Sequence, residues 1–314
     1  MDYVIGIDLG GTNLRIAIIN RDGSILNKRI YNTYNLLKNN LFIDTIYNHV
    51  IDNENKISAI GIGVPGIVLV DKGVVVESPN IPEWRNFELK KEIEKRIKIP
   101  VFLDNDANVS AYGEKWIGAG KYFDSFVCIT LGTGVGGGII LNGEIWHGKD
   151  GMAGEIGHTV VEVDGERCKC GGYGCLEVYA SANAIVKMAR DNITNGENSI
   201  IKNMVGGNLD KIDSHIVYKA GLKGDKLSLR IYEKVGRYLG IGIANVINLL
   251  NIDGIIIGGG VSKAWDLFID SLKKEVRGRV FSYVANNVKI VKSELMDNAG
   301  IIGASYIAFK EVIC

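Results

Sequence analysis

The chain has no surplus charge of either sign: 36 Lys and Arg balance 36 Asp and Glu over 314 residues. A nucleic-acid backbone or an anionic membrane surface selects for a basic excess, and no basic patch or charged tail is visible, so neither partner is expected. Long apolar runs are also missing. The nearest approach to a membrane span, IGIANVINLLNIDGIIIGG, is broken by asparagines, an aspartate and glycines. The opening MDYVIGIDLGG shows no basic leader, so no signal peptide is expected and the location reads as cytoplasmic. No GxxxxGK[ST] phosphate loop occurs, and GTGVGG is followed by a short apolar strand instead of the helix a dinucleotide fingerprint requires. The H-x-E…P-C-x-x-C pattern of a zinc deaminase is absent as well.

Glycine, by contrast, is abundant at 40 residues, beside a hydrophobic content of 46% that supports a large core in one domain or two. Strand-like runs at 3–8, 14–19, 57–64, 101–104, 125–131, 138–141, 254–260 and 288–291 alternate with helical spacings at 36–51, 87–97, 107–116, 176–189, 229–250 and 298–309. That alternation predicts an α/β fold. VIGIDLGGTNLRIAII and VCITLGTGVGGGIIL share one plan, a hydrophobic run, a glycine turn with a threonine, and a second run. The pairing is a weak internal repeat and suggests two related lobes facing one ligand.

Three glycine turns each follow a buried strand: Gly10-Gly11-Thr12-Asn13, Gly132-Thr133-Gly134 and Gly258-Gly259-Gly260. Such turns can present successive backbone N–H groups to phosphate oxygens, with threonine hydroxyls adding donors. Asp8, at the end of the first strand, could hold Mg²⁺ through water or simply cap the turn. Asp104-Asn105-Asp106 sits where a strand gives way to a helix. A carboxylate there could take a proton from an attacking hydroxyl, or Asp104 or Asp106 could cap the helix. His158, Cys168, Cys170 and Cys175 are spaced 10, 2 and 5 apart and supply one imidazole and three thiolates. That is a complete tetrahedral zinc set with no position left for an activated water, so the zinc would be structural.

Together the motifs resemble the ROK family of sugar kinases and transcriptional repressors. The matching pieces are IGIDLGGTN at 5–13, GVPG at 63–66, SPNIPEW at 78–84, DNDAN at 104–108, LGTGVGGGI at 131–139, AGEIGH at 153–158, CKCGGYGCLE at 168–177 and IIIGGG at 255–260. The resemblance implies an actin-like ATPase (ribonuclease H-like) fold, two lobes around a central cleft. One lobe would be 1–118 with a returning helix at 298–314, the other 119–297.

It implies Asp106 as catalytic base toward a sugar 6-hydroxyl. Gly66, Asn80, Asn105, Glu155, His158 and Glu177 match sugar-binding positions, and His158 also matches the zinc histidine. Gly10, Gly11, Thr12, Asn13, Gly132, Thr133 and Gly134 match the phosphate loops. Gly258, Gly259 and Gly260 match the loop near adenosine, and Asp8 the acidic residue beside phosphate and Mg²⁺. ATP, Mg²⁺ and a structural Zn²⁺ are the implied cofactors, a hexose the implied substrate, and a dimer or tetramer the implied assembly.

PNIPEWRN is most similar to glucokinase members, which points to glucose, with N-acetylmannosamine or N-acetylglucosamine as alternatives. A sugar-responsive regulator of the same family would need an N-terminal winged helix-turn-helix, for which a first strand at Tyr3 is expected to leave no room. An actin-like filament protein would explain the nucleotide loops but not the cysteines.

Overall fold

The computed structural model describes residues 3–52, 57–79 and 81–313. β1 (Tyr3–Leu9) and β2 (Asn13–Asn20) pair antiparallel across the first glycine turn. β3 (Ile25–Asn32) extends the sheet antiparallel to β2; its side chains are mostly exposed, so no apolar alternation marks it in the sequence. The single helix expected over 36–51 is two, α1 (Thr33–Lys38) and α2 (Phe42–Ile51). Asn40 between them adopts φ 55°, a left-handed conformation that asparagine tolerates and a helix does not.

β4 (Ile57–Val64) lies parallel to β1. The short strands β5 (Ile67–Leu69), β6 (Val74–Glu77) and β7 (Arg85–Phe87) make a separate antiparallel sheet. α3 (Leu89–Ile97) buries Leu89, Ile93 and Ile97, the stripe its spacing predicts. β8 (Val101–Asn105) then runs parallel to β4 and leads directly into α4 (Asp106–Ile117).

The pattern restarts with β9 (Phe126–Leu131), β10 (Val135–Leu141) and β11 (Glu144–Ile145). Beyond the cysteine loop come α5 (Glu177–Ala180) and α6 (Ala182–Thr194), which replace the one helix expected there. Ser181 divides them by capping α6, its side chain accepting from Ala184 N. α7 (Ile200–Met204), α8 (Ser214–Leu222) and the long α9 (Lys226–Leu250) follow. β12 (Gly254–Gly258), α10 (Trp265–Arg279), α11 (Ser282–Asn287), β13 (Lys289–Lys292) and α12 (Ala299–Ile313) complete the order.

The first large sheet has the order β3-β2-β1-β4-β8 and the second β11-β10-β9-β12-β13. Each reads third, second, first, fourth, fifth strand of its own set. The weak repeat in the sequence is therefore a repeat of sheet topology.

The chain divides into two compact units, Met1–Cys128 with Gly138–Gly154 and Ser293–Cys314, and Ile129–Gly137 with Glu155–Lys292. In the first unit α12 presses on β1, β4 and α4. A Cβ on Gly61 would stand 1.7 Å from Ala304 O, and one on Gly303 1.6 Å from Val109 O, so both positions need glycine for close backbone approach. Fully buried Glu114 of α4 fastens the entry to α12, accepting from Ala119 N at 2.8 Å, Ser293 Oγ at 2.5 Å and Leu295 N at 3.1 Å. Among the described residues no helix is long and apolar enough to cross a membrane.

Candidate functional site

The start of α4 gathers several of the expected residues. Neither Asp104 nor Asp106 caps the helix. The cap is Asn105, whose Oδ1 accepts from Ala107 N at 2.8 Å and Asn108 N at 3.3 Å. Its backbone is extended, as an N-cap requires. Asn105 Nδ2 donates to Gly66 O at 3.0 Å. Gly66 has φ 108°, and a Cβ on it would stand 2.2 Å from Glu77 O, so the GVPG turn admits only glycine at its end. Asp106 is then the first helical residue, half-buried, with Oδ1 accepting from Ala107 N at 2.9 Å. Gly66, Asn105 and Asp106 are thus brought together. Asn80 lies outside the described residues.

Asp104 is buried, 3% exposed, and fully engaged. Its Oδ1 accepts from Asn105 N at 2.7 Å and Asn108 Nδ2 at 2.9 Å, and its Oδ2 from His147 Nε2 at 2.8 Å. The hydrogen bond to Asp104 raises the His147 pKa above its ordinary value, against the opposing effect of burial. His147 has no motif around it in the sequence. That it is one of only four histidines was the sole signal.

The first glycine turn is closed by Gly10 N donating to Asn13 O at 2.9 Å, and Thr33 Oγ1 holds it from α1 by donating to Gly10 O at 2.8 Å. Gly11 and Thr12 are exposed at its tip. Asp8, below the turn, pairs with Arg15 at 3.0 Å. Burial raises the Asp8 pKa and Arg15 works against that rise.

In the second turn Ala182 N donates to Gly132 O at 2.8 Å. Glu177 Oε2 accepts from Val135 N at 3.0 Å and fills the space a Cβ on Gly134 would need, so Glu177 braces this loop. The third turn requires glycine at Gly259, where φ is 82° and a Cβ would stand 2.4 Å from Leu131 O. A Cβ on Gly132 or Gly260 would meet nothing within 4 Å. Packing within the protein does not demand glycine at those two positions.

The cysteine loop forms a tetrad. Cys170 and Cys175 Sγ are 3.7 Å apart, and Cys168 Sγ is 3.7 Å from His158 Nδ1. All four ligand atoms lie within 4.8 Å of one another. A disulfide needs about 2.05 Å. Separations near 3.7 Å fit the edges of a tetrahedron with metal–sulfur bonds of about 2.3 Å and metal–nitrogen bonds of about 2.0–2.1 Å. Burial pushes the Cys175 thiol up to about 12, so a thiolate there calls for a cation beside it. The loop is anchored by Tyr179 OH, which accepts from Glu166 N at 2.7 Å, and by Gly174, where a Cβ would stand 1.7 Å from Glu162 O. His158 turns its other nitrogen toward Glu155, with Nε2 3.9 Å from Oε2. The arrangement is a candidate metal site.

Residues 4–311 match the ROK family pattern. The chain belongs to the ROK family. Within it, the chain is 38% identical to a glucokinase of Thermotoga maritima over 97% of this chain and 96% of that one. It is 31% identical to the xylose repressor of Caldicellulosiruptor bescii over 99% of this chain and 79% of the repressor. Among solved structures it resembles a ROK family glucokinase from Streptomyces griseus in complex with glucose and AMPPNP. The TM-score is 0.86 and the identity 33%, covering 98% and 99% of the two chains. The ROK family chain accordingly has the two-lobed α/β architecture of the actin-like ATPase fold.

Proposed function

We propose that this protein is an ATP-dependent glucokinase, transferring the γ-phosphoryl group of ATP to the 6-hydroxyl of glucose to give glucose 6-phosphate and ADP. The observation that carries the reading is the start of α4, where Asn105 takes the capping role and Asp106 stands in the first turn beside the Asn105–Gly66 bond. Similarity along nearly the whole length of the T. maritima glucokinase supports glucose as the acceptor.

In this reading Asp106 accepts the proton of the 6-hydroxyl as that oxygen bonds to the γ-phosphorus and the bond to the β–γ bridging oxygen breaks. Gly66, Asn80, Asn105, Glu155, His158 and Glu177 hold the sugar in line for the transfer. Glu177 has a double role, since it also braces the second glycine turn. The turns Gly10–Asn13 and Gly132–Gly134 receive the phosphates through backbone donors other than Gly10 N and Gly132 N, which close the turns, and Gly258–Gly260 lie near the adenosine. Mg²⁺, held through Asp8, supplies positive charge to the phosphates when bound.

His158, Cys168, Cys170 and Cys175 would hold a zinc ion as a complete set of protein ligands. Bound there, it would fix the loop that joins Glu155 to Glu177 and leave the chemistry to the protein's own groups. We further read the protein as a cytoplasmic homo-oligomer, dimer or tetramer, without a nucleic-acid partner.

The test is ADP release from ATP with glucose, mannose, fructose, N-acetylglucosamine, N-acetylmannosamine or no sugar, run beside Asp106→Asn. Glucose should give the highest turnover, and the variant should lose about 10²–10⁴-fold in kcat, the usual contribution of a positioned base. Preference for an acetamido sugar would keep the mechanism and change the substrate. Absence of sugar-stimulated turnover in folded, zinc-loaded protein would overturn the kinase reading in favour of a binding or regulatory role.

A further inference from the structure

We infer that His147 is a positioning residue for the proposed base: by holding Asp104 it fixes the first turn of α4, where Asn105 and Asp106 stand. The inference rests on the glucokinase reading above.

Asp104 is nearly inaccessible, and its carboxylate binds three donors on three different groups. The Asn105 amide and the Asn108 side chain are neutral. His147 is the one ionisable group among them, so it alone can supply the countercharge a buried carboxylate needs. The consequences run along covalent and hydrogen-bonded neighbours. Asn108 lies one turn beyond Asp104, and Asn105 caps that same turn while donating to Gly66 O. If Asp104 Oδ2 loses its partner, the buried carboxylate must rotate toward water. That rotation pulls on the Asn105 amide and the Asn108 side chain, and so on the first turn of α4 where Asp106 stands.

His147 is itself held firmly. Ala153 N donates to His147 O at 3.1 Å. Gly148 and Gly151 on the same segment have φ of 70° and 78°, and a Cβ on Gly151 would stand 2.6 Å from Val68 O.

Charged groups from three separate segments act on the His147 imidazole. Asp104 on β8 raises its pKa, burial lowers it, Asp71 before β6 raises it, and Lys310 on α12 opposes. Lys310 is paired with Glu144 of β11 and sits 5.6 Å from the Tyr112 ring centroid. With the folded pKa raised above the ordinary value, the imidazolium–carboxylate bond is complete below about pH 6.5. It weakens to a neutral hydrogen bond as pH rises through the raised value. Sugar-site alignment should weaken over the same window.

The experiment compares wild type, His147→Gln and His147→Ala in steady-state kinetics from about pH 5.5 to about pH 9, bracketing the imidazole titration. Imidazole NMR titrations of wild type and Asp104→Asn accompany it. The alanine variant should lose about tenfold or more in kcat/KM for glucose, the effect of removing a hydrogen bond to a charged group, with KM for ATP unchanged. Glutamine, which keeps a neutral donor near the Nε2 position, should restore most of the activity at neutral pH and lack the alkaline decline shown by wild type. His147 should titrate above the ordinary value, and Asp104→Asn should bring it down.

A glutamine variant with the wild-type pH profile would overturn the inference. So would a folded alanine variant with unchanged kcat/KM for glucose. Failure of wild type to show any sugar-stimulated turnover would remove the glucokinase reading and this role with it, whereas the NMR titration judges the His147–Asp104 pair by itself.

Discussion

Asp104 and Asp106 are two positions apart and serve different ends. One is buried and saturated with donors; the other is half-buried at the start of a helix that a neighbouring asparagine already caps. Glu114, on the same helix, is a third case, a buried carboxylate that clamps backbone distant in sequence. Glu114→Ala leaves Ser293 Oγ and the Leu295 amide without their acceptor. It should destabilise the protein by about 3 kcal/mol or more, read as a lower urea midpoint at unchanged m-value. Glu114→Gln should cost less because an acceptor oxygen remains. The four residues of the cysteine tetrad were legible in the sequence, because a tetrahedral metal set requires particular residue types at short, fixed spacings. The Asp104–His147 bond was not, because it joins residues 43 apart and neither neighbourhood announces the other. The roles of Asn105 and Asp106 at the cap were equally closed to spacing, since aspartate and asparagine are both good N-caps and only backbone geometry separates them.

At the scale of elements, α12 and the cysteine loop show how differently two segments are secured. α12 is held by close backbone approach. Gly303→Ala would place a methyl 1.6 Å from Val109 O and 2.7 Å from Gly113 N, both backbone atoms that cannot rotate away. The expected cost is about 3 kcal/mol or more, at or beyond the usual range for overpacking. Gly207→Ala has open space but φ 81°, and should cost only about 1 kcal/mol from backbone strain. Thermal melts of the two variants test the contrast. In the cysteine loop Val160, Val163 and Tyr173 are exposed, so apolar burial secures it little. Metal chelation should lower Tm by about 4 °C or more, on the order of 2 kcal/mol for a chain of this size, and raise KM for glucose more than KM for ATP. The close packing of α12 was legible as a run of small residues. The breaks at Asn40 and Ser181 and the exposed strand β3 were not, because one left-handed residue or one capping hydroxyl can interrupt a pattern that periodicity alone continues.

The two large sheets repeat one strand order, of which only the two similar glycine hairpins, β1–β2 and β9–β10, were visible in the sequence. The partner strands β12 and β13 were visible only as isolated apolar runs; their place beside β9 depends on pairings far apart in sequence. Ligand binding should register in the stability of the folded chain. Glucose at about a hundred times its Kd should add about 2.7 kcal/mol. That corresponds to a Tm increase of roughly 5 °C, with N-acetylglucosamine at the same concentration giving less. An equal or larger shift with the acetamido sugar would move the substrate assignment.

The return of α12 to the first unit also has a consequence during synthesis. β1 and β4 are among the first segments made, yet the helix that covers them is among the last. At about 5–20 residues per second, roughly fifteen to sixty seconds separate the emergence of the first unit's opening segment from the arrival of its covering helix. Throughout that interval the faces around Val4 and Ala59, which finally pack against Ala308 and Phe309, are open to solvent and to other nascent chains. A chaperone that shields apolar β-sheet surface should therefore bind ribosome-held chains of intermediate length and release them once α12 has cleared the exit tunnel.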